Sequence, residues 1–282
     1  MSTVDCNISI TKNLRIMLKI GIAGAAGKMG EAIFRVLQNS QEFQVSSLLV
    51  HDEKAKQNLA ALYPATSGSI YTEQELENFV EGIDLVIDFS SYTLSPKLAN
   101  ICVLKNTAMV CGTTGMNSAQ LDKLAEYATM TRIFYSPNMS LGVNILNTLA
   151  CAAIEKLGEG YDVEIVEHHH RDKKDVPSGT SLMLAENIAK SGGDNYKIVV
   201  GREATKNGEK RQHNQIYIHS IRGGSAVGEH SIIISGCHDT IMLQHNSNDR
   251  DIFAHGAAKA ASFLLRQEAT KLYSMVDLIS EK

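Results

Sequence analysis

Apolar and polar positions follow one grammar in the first half of the chain and another in the second. A mostly apolar run over residues 16–23 reads as a buried strand, and strand-like runs at 43–50, 83–89 and 107–111 then alternate with helical patterns at 54–62, 94–105 and 118–129. That alternation predicts a parallel sheet covered by helices. After a short strand at 133–135, a long helix over 140–157, a strand at 162–168 and a helix at 181–190 lead into four strand-like runs, 197–201, 214–221, 230–235 and 240–244, with only turns between them. Consecutive strands predict a mixed or antiparallel sheet, hence a second unit. A last helix spans 252–267, so the class expected is α/β with an added α+β unit.

A length of 282 residues agrees, since about 150 residues make a domain. With 44% hydrophobic residues and only 4 prolines, the chain is neither disordered nor collagenous. Its 27 basic and 31 acidic residues leave a net charge of −4, which excludes a broadly basic nucleic-acid surface. Five separated cysteines without a CxxC pair argue against a disulfide framework or zinc ribbon and fit a reducing cytoplasm. The longest uncharged stretch, 133–154, holds Pro137 and three asparagines, which removes a membrane span. Residues 1–15 are polar and aperiodic, carry no secretory pattern, and are expected to be dispensable to a protein starting at Met17.

The first strand runs directly into Gly24-Ala25-Ala26-Gly27-Lys28-Met29-Gly30 and a helix. There glycines permit a tight turn and close backbone approach, and the free amides of the helix start meet a pyrophosphate. The adenine ribose normally finds an acidic residue after the second strand; here His51, Asp52 and Glu53 stand there, and Lys28 can attract a 2′-phosphate, so NADH and NADPH both remain open. Two further loops, Asp88-Phe89-Ser90 and Gly112-Thr113-Thr114-Gly115, fall at carboxyl ends of parallel strands, where α/β sheets bind ligands.

The densest chemistry is Glu167-His168-His169-His170-Arg171-Asp172-Lys173-Lys174-Asp175-Val176-Pro177-Ser178-Gly179-Thr180, between a strand and a helix. Strand alternation sends His168 and His170 one way and His169 the other, so the triplet does not converge on a metal, and none is expected. Ser178, Gly179 and Thr180 at the helix mouth, beside His169, His170, Lys173 and Lys174, suit a small dianion with a proton donor next to it. The plainer reading of the same residues is a helix cap with solvated loop charges.

These segments in this order, with Ser136-Pro137-Asn138-Met139-Ser140, Arg222-Gly223-Gly224 and Val227-Gly228-Glu229-His230, resemble the 4-hydroxy-tetrahydrodipicolinate (dihydrodipicolinate) reductase family from residue 16 onward. The resemblance implies a Rossmann domain from residues 1–139 and 249–282 and a substrate-binding and oligomerisation domain from 140–248. It implies NAD(P)H-dependent reduction of a cyclic dicarboxylate in diaminopimelate and lysine synthesis, by a homotetramer. By the same resemblance His169 matches the general acid and Lys173 a second catalytic residue. His170, Ser178, Gly179 and Thr180 match substrate positions. Gly24 to Gly30, His51, Asp52, Phe89, Ser90, Gly112, Thr113, Thr114, Pro137, Asn138 and Met139 match cofactor positions. Asp172 stands where many members have His, His51 where an acid is usual, and Ser91 where some have Arg. Competing classes are another two-domain NAD(P)-dependent reductase, such as an aspartate dehydrogenase-like protein, and a non-catalytic dinucleotide sensor.

Overall fold

The computed structural model describes residues 17–62, 68–193, 196–201 and 210–281; the expectation for residues 1–15 lies outside them. A seven-stranded sheet is built from β1 (Leu18–Ala23), β2 (Phe43–Val50), β3 (Ser69–Thr72), β4 (Leu85–Asp88), β5 (Ala108–Cys111), β6 (Ile133–Tyr135) and β7 (Leu272–Tyr273). Every pairing is parallel and the order is β7-β6-β5-β4-β1-β2-β3. The order reverses between β1 and β4, which opens a crevice at their carboxyl ends.

Helices α1 (Lys28–Gln38) and α2 (Glu53–Leu62) follow β1 and β2; α3 (Leu76–Val80), α4 (Ser95–Leu104) and α5 (Ser118–Ala128) follow β3, β4 and β5. Burial on both faces explains the mostly apolar inner strands: one core joins Ile20, Ile22 and Phe134 to Ile33 and Leu37 of α1, the other joins Val86 and Met109 to Phe79, Leu98 and Leu124. The first core is completed from the far end of the chain, where α8 (Asp251–Arg266) contributes Ala254, Ala257, Ala261 and Leu264. β7 and α9 (Met275–Ser280) end the chain on this sheet.

A second, five-stranded sheet contains β8 (Asp162–His169), β9 (Lys197–Val200), β10 (Gln215–Arg222), β11 (Gly228–Ser235) and β12 (Thr240–Ser247). Its order is β12-β11-β8-β10-β9, with antiparallel pairs on the β11 side and parallel pairs on the β10 side, the mixed sheet expected. One face packs on α6 (Leu141–Leu157) and α7 (Gly179–Ser191) through Leu146, Ala150, Ile154, Leu184 and Ile188 against Val163, Ile165, Ile218 and Ile232.

Several expectations need correction. β3, α3, β7 and α9 escaped the sequence reading because each is two to six residues long, too short to show a period. α7 starts two residues earlier than expected because Ser178 caps it, its hydroxyl accepting from the Ser181 amide. The strict alternation assigned to the three histidines fails at its last member: β8 ends at His169, and His170 turns into the cleft beside it.

Candidate active site

Three adjoining cavities follow the carboxyl edge of the parallel sheet. The first, about 430 Å³, lies between the glycine loop, the end of β2 and the β4–α4 loop, lined by Gly24, Ala26, Gly27, His51, Phe89 and Ser90 among others. The second, about 360 Å³, shares Phe89 and Ser90 with it and adds Met29, Gly112, Thr113, Thr114, Pro137 and Met139. The third, about 430 Å³, shares Thr114, Pro137 and Phe253 with the second and reaches His169, His170, Lys173 and the mouth of α7. Together they form a continuous cleft from the parallel sheet to the mixed one.

The glycine loop is shaped for close approach. Gly24 has φ +78°, and a Cβ there would fall 2.4 Å from the Phe89 carbonyl; a Cβ on Gly30 would fall 2.3 Å from the Gly24 carbonyl. The Lys28 and Met29 amides head α1, where no intrahelical acceptor exists. A bare backbone loop, free amides and a long cleft fit the pyrophosphate and the two ends of a nicotinamide dinucleotide. Asp88, fully buried, sets the floor: its carboxylate accepts from the Ser90 amide and from the Ser90, Ser95 and Thr113 hydroxyls, locking the loops after β4 and β5 together. Burial pushes its carboxyl pKa up, opposed by those donors.

The third cavity is cationic. Lys173 reaches Asp175 at 2.9 Å, His170 and Arg250 complete the rim, and the Gly179 and Thr180 amides head α7 without intrahelical acceptors. The Thr180 hydroxyl accepts from Asn138 Nδ2 at 3.0 Å, which leaves its own proton to donate. Ser178 lines the cavity, but its amide donates to Glu167 and its hydroxyl caps the helix. It shapes the mouth, and its neighbours supply the donors.

Behind His169 lies a group the sequence reading assigned no role. In β8 the buried face runs Val163, Ile165, Glu167, His169, so the side that builds the core carries a carboxylate and then an imidazole into the cleft. Register places Ser220 and His230 on either side of Glu167, and Arg222 opposite His169. The Glu167 carboxylate, fully buried, accepts from Ser178 N (3.0 Å), Ser220 Oγ (2.6 Å) and Arg222 Nη2 (2.8 Å). Its second oxygen lies 2.7 Å from His169 Nδ1. Burial alone would raise the Glu167 pKa, but His169, Ser220, Arg222 and the Ser178 amide outweigh it and hold the group well below the carboxylate range. His230 meets the edge of the His169 ring at 5.3 Å between centroids; burial first, then the charge of His169, pushes its pKa down to about 4, so it is neutral at pH 7.

Metal-ligating atoms of Glu167, His169 and His230 lie within 4.8 Å of one another, a cluster no local spacing revealed. Two ligands of a tetrahedral zinc stand roughly 3.3 Å apart. The 2.7 Å between Nδ1 and Oε2 is shorter than that and is the distance of an ion pair, with Arg222 already on the carboxylate, although both atoms are buried without a hydrogen bond of good geometry.

Most expected positions therefore meet in one cleft. Four cofactor candidates do not line it: Ala25 and Gly30 pack beneath the loop, Lys28 stands exposed at the head of α1, and Asp52 Oδ1 accepts from the Ala55 amide at the start of α2. Arg250 and Phe253, which do line it, come from the start of α8 and carried no sequence signal beyond a helix start.

Family comparisons cover nearly the whole chain. "Dihydrodipicolinate reductase, N-terminus" matches residues 18–139 and "Dihydrodipicolinate reductase, C-terminus" matches 142–279. The 4-hydroxy-tetrahydrodipicolinate reductase of Caldanaerobacter subterraneus subsp. tengcongensis is 37% identical over 266 residues, 94% of this chain and all of that one. That of Rickettsia rickettsii is 37% identical over 262 residues, 93% of this chain and 99% of that one. Among solved structures, a dipicolinate-bound dihydrodipicolinate reductase from Paenisporosarcina sp. TG-14 shares the fold at TM-score 0.72 and 24% identity, covering 92% of this chain and 98% of that one.

Proposed function

The chain belongs to the dihydrodipicolinate reductase family, and from that membership we infer how its cleft works. It is an NAD(P)H-dependent oxidoreductase that reduces 4-hydroxy-tetrahydrodipicolinate, with loss of water, to tetrahydrodipicolinate in diaminopimelate and lysine biosynthesis. The observation that carries the assignment of roles is the continuous cleft joining the bare glycine loop to the cationic mouth of α7.

In this reading Gly24, Ala26 and Gly27 would hold the cofactor's pyrophosphate, His51 would stand at its adenosine end, and Gly112, Thr113, Thr114, Pro137 and Met139 would hold its nicotinamide end. The bound dinucleotide supplies a hydride. The Gly179 and Thr180 amides, the Thr180 hydroxyl, His170, Lys173 and Arg250 grip the two carboxylates of the substrate ring and turn its reacting carbon toward the second cavity. Hydride addition to a carbon conjugated with C=N drives negative charge into the ring, and a proton must follow. His169, held through Nδ1 by Glu167, offers Nε2 as the donor, and Lys173 stands beside it as the second candidate. We assign residues 1–139 and 249–282 to the dinucleotide-binding domain and 140–248 to the substrate and oligomerisation domain.

A homotetramer is supported by the face of the mixed sheet turned away from α6 and α7, which presents Val166, Ile221, Ile233 and Met242. Ile221 and Met242 are 50% and 60% exposed there. No helix among the described residues is long and apolar enough to cross a membrane. The four described cysteines are free thiols, which supports a reducing, cytoplasmic location. The decisive assay follows loss of NADH or NADPH absorbance with substrate generated in place from pyruvate and aspartate semialdehyde by the preceding synthase. Consumption with neither cofactor would overturn the assignment.

A further inference from the structure

Among its described lining residues the first cavity holds one histidine and one carboxylate, His51 and Glu73. Parallel pairing of β2 with β3 sets Val50 beside Thr72, so His51 and Glu73, lying just beyond those strand ends, are brought side by side at the rim. Their Nδ1 and Oε1 atoms are 2.9 Å apart. Other charges near this corner are already engaged or turned away. Asp52 caps α2, Lys56 reaches Glu75 at 3.1 Å and Glu53 at 3.8 Å, and Lys28 does not line the cavity. The remaining polar lining is neutral: Ser90, Ser91 and Thr93.

Resting on the cofactor placement above, we propose that Glu73, at the end of β3, is the specificity-determining residue for the adenine ribose, replacing the acid missing at the end of β2 and favouring a 2′-hydroxyl over a 2′-phosphate. One carboxylate oxygen is bonded to His51, and the other, without a hydrogen-bond partner among the described residues, can accept from a ribose hydroxyl. A 2′-phosphate brings about two negative charges to the same corner and meets a carboxylate there, with no Lys or Arg among the described lining residues to answer it. His51 does not reverse this. Its hydrogen bond to Glu73 raises its pKa, so when protonated it is the counter-ion of Glu73. The Glu–His pair thus presents an acceptor for a diol and little net positive charge for a phosphate.

The test measures kcat/KM and Kd, the latter by reduced-nicotinamide fluorescence, for NADH and NADPH in wild type, Glu73→Gln, Glu73→Lys and Ser91→Arg. Wild type is expected to use both and to favour NADH by about tenfold or more, the scale of one hydrogen bond to a charged group. Glu73→Gln should move the NADH-to-NADPH ratio at least about tenfold toward NADPH, and Glu73→Lys further. Ser91→Arg places a cation in the same cavity without touching Glu73, and should improve NADPH use alone. If Ser91→Arg shifts the ratio and both Glu73 variants leave it unchanged, the role of Glu73 is overturned while the cavity keeps its adenosine. If all three leave it unchanged, the cofactor placement itself falls, and the proposal with it.

Discussion

Replacing Glu167 by Gln keeps the shape of the side chain and removes its charge. The carboxylate is fully buried and holds four partners, His169, Ser178, Ser220 and Arg222, at 2.6 to 3.0 Å. The amide can still accept from two of them, but Arg222, only 16% exposed along its side chain, loses its counter-ion, and His169 Nδ1 faces either a weaker acceptor or an N–H donor. Breaking a buried pair costs about 3–5 kcal/mol. Arg222 keeps its bond to the Asp175 carbonyl, which places the loss at the low end, about 3 kcal/mol, or roughly 6–12 °C in Tm. Catalysis suffers separately. A His169 that donates from Nε2 while its Nδ1–H faces Glu167 carries a proton on both nitrogens; without the carboxylate that cation loses its counter-charge, and a kcat about a hundredfold lower is expected, close to the whole contribution of acid catalysis. Glu167 does not line the substrate cavity, so KM should stay within about threefold of wild type. Steady-state kinetics below the variant's melting temperature, with circular dichroism to confirm folding, read both numbers. A folded variant with near-normal kcat would refute the coupling of Glu167 to His169.

Other outcomes follow from the same geometry. His169→Gln and Lys173→Ala should each lower kcat about a hundredfold, and near-normal rates in both would place the proton source elsewhere. Thr180→Val removes the hydroxyl facing the carboxylates and its bond with Asn138; KM should rise about tenfold with kcat less affected, and an unchanged KM would return Thr180 to the role of a cap. Acidification should destabilise the fold through His230. Its folded pKa, about 4, lies below its ordinary 6.5, so the unfolded chain binds the extra proton between those values. Stability is then intact above pH 6.5 and falls by on the order of 3 kcal/mol as pH drops through that window. Thermal melts of wild type and His230→Gln between pH 7 and about 4.5 check this, and parallel curves would refute it.

What the chain disclosed on its own was whatever repeats locally. β2 and β6 match their expected limits because β6 is an uninterrupted apolar run and β2 closes on the apolar Leu48-Leu49-Val50, each bounded by polar residues. The glycine loop and the mouth of α7 were legible because a strand, a turn and a helix follow one another within about ten residues. Glu167 was legible only as part of a charged segment. Its importance comes from register: Ser220 and Arg222 lie 53 and 55 residues further on, and only the pairing of β8 with β10 aligns them with it. Glu73 was hidden for the same reason, since β3 is four residues long and its alignment with β2 is what brings Glu73 to His51. Arg250 reaches the cleft only because the chain returns to the first sheet after completing the second.

That return has a consequence for synthesis on the ribosome. When residue 135 has emerged, six of the seven parallel strands exist, yet the hydrogen-bonding edge of β6 is bare and the apolar surface over Ile20, Ile22 and Phe134 still lacks α8. At about 5–20 residues per second, on the order of ten seconds pass before residue 273 is made and β7 can dock. The mixed sheet needs nothing beyond residue 247 and can close first, so the unit that begins the chain is the last to be finished. Through that interval the nascent polypeptide carries an open strand edge together with an exposed apolar face, the pairing most prone to association with a neighbouring chain. Stalling translation between residues 140 and 250 should therefore yield ribosome-bound chains that recruit holding chaperones, and release at residue 282 should discharge them.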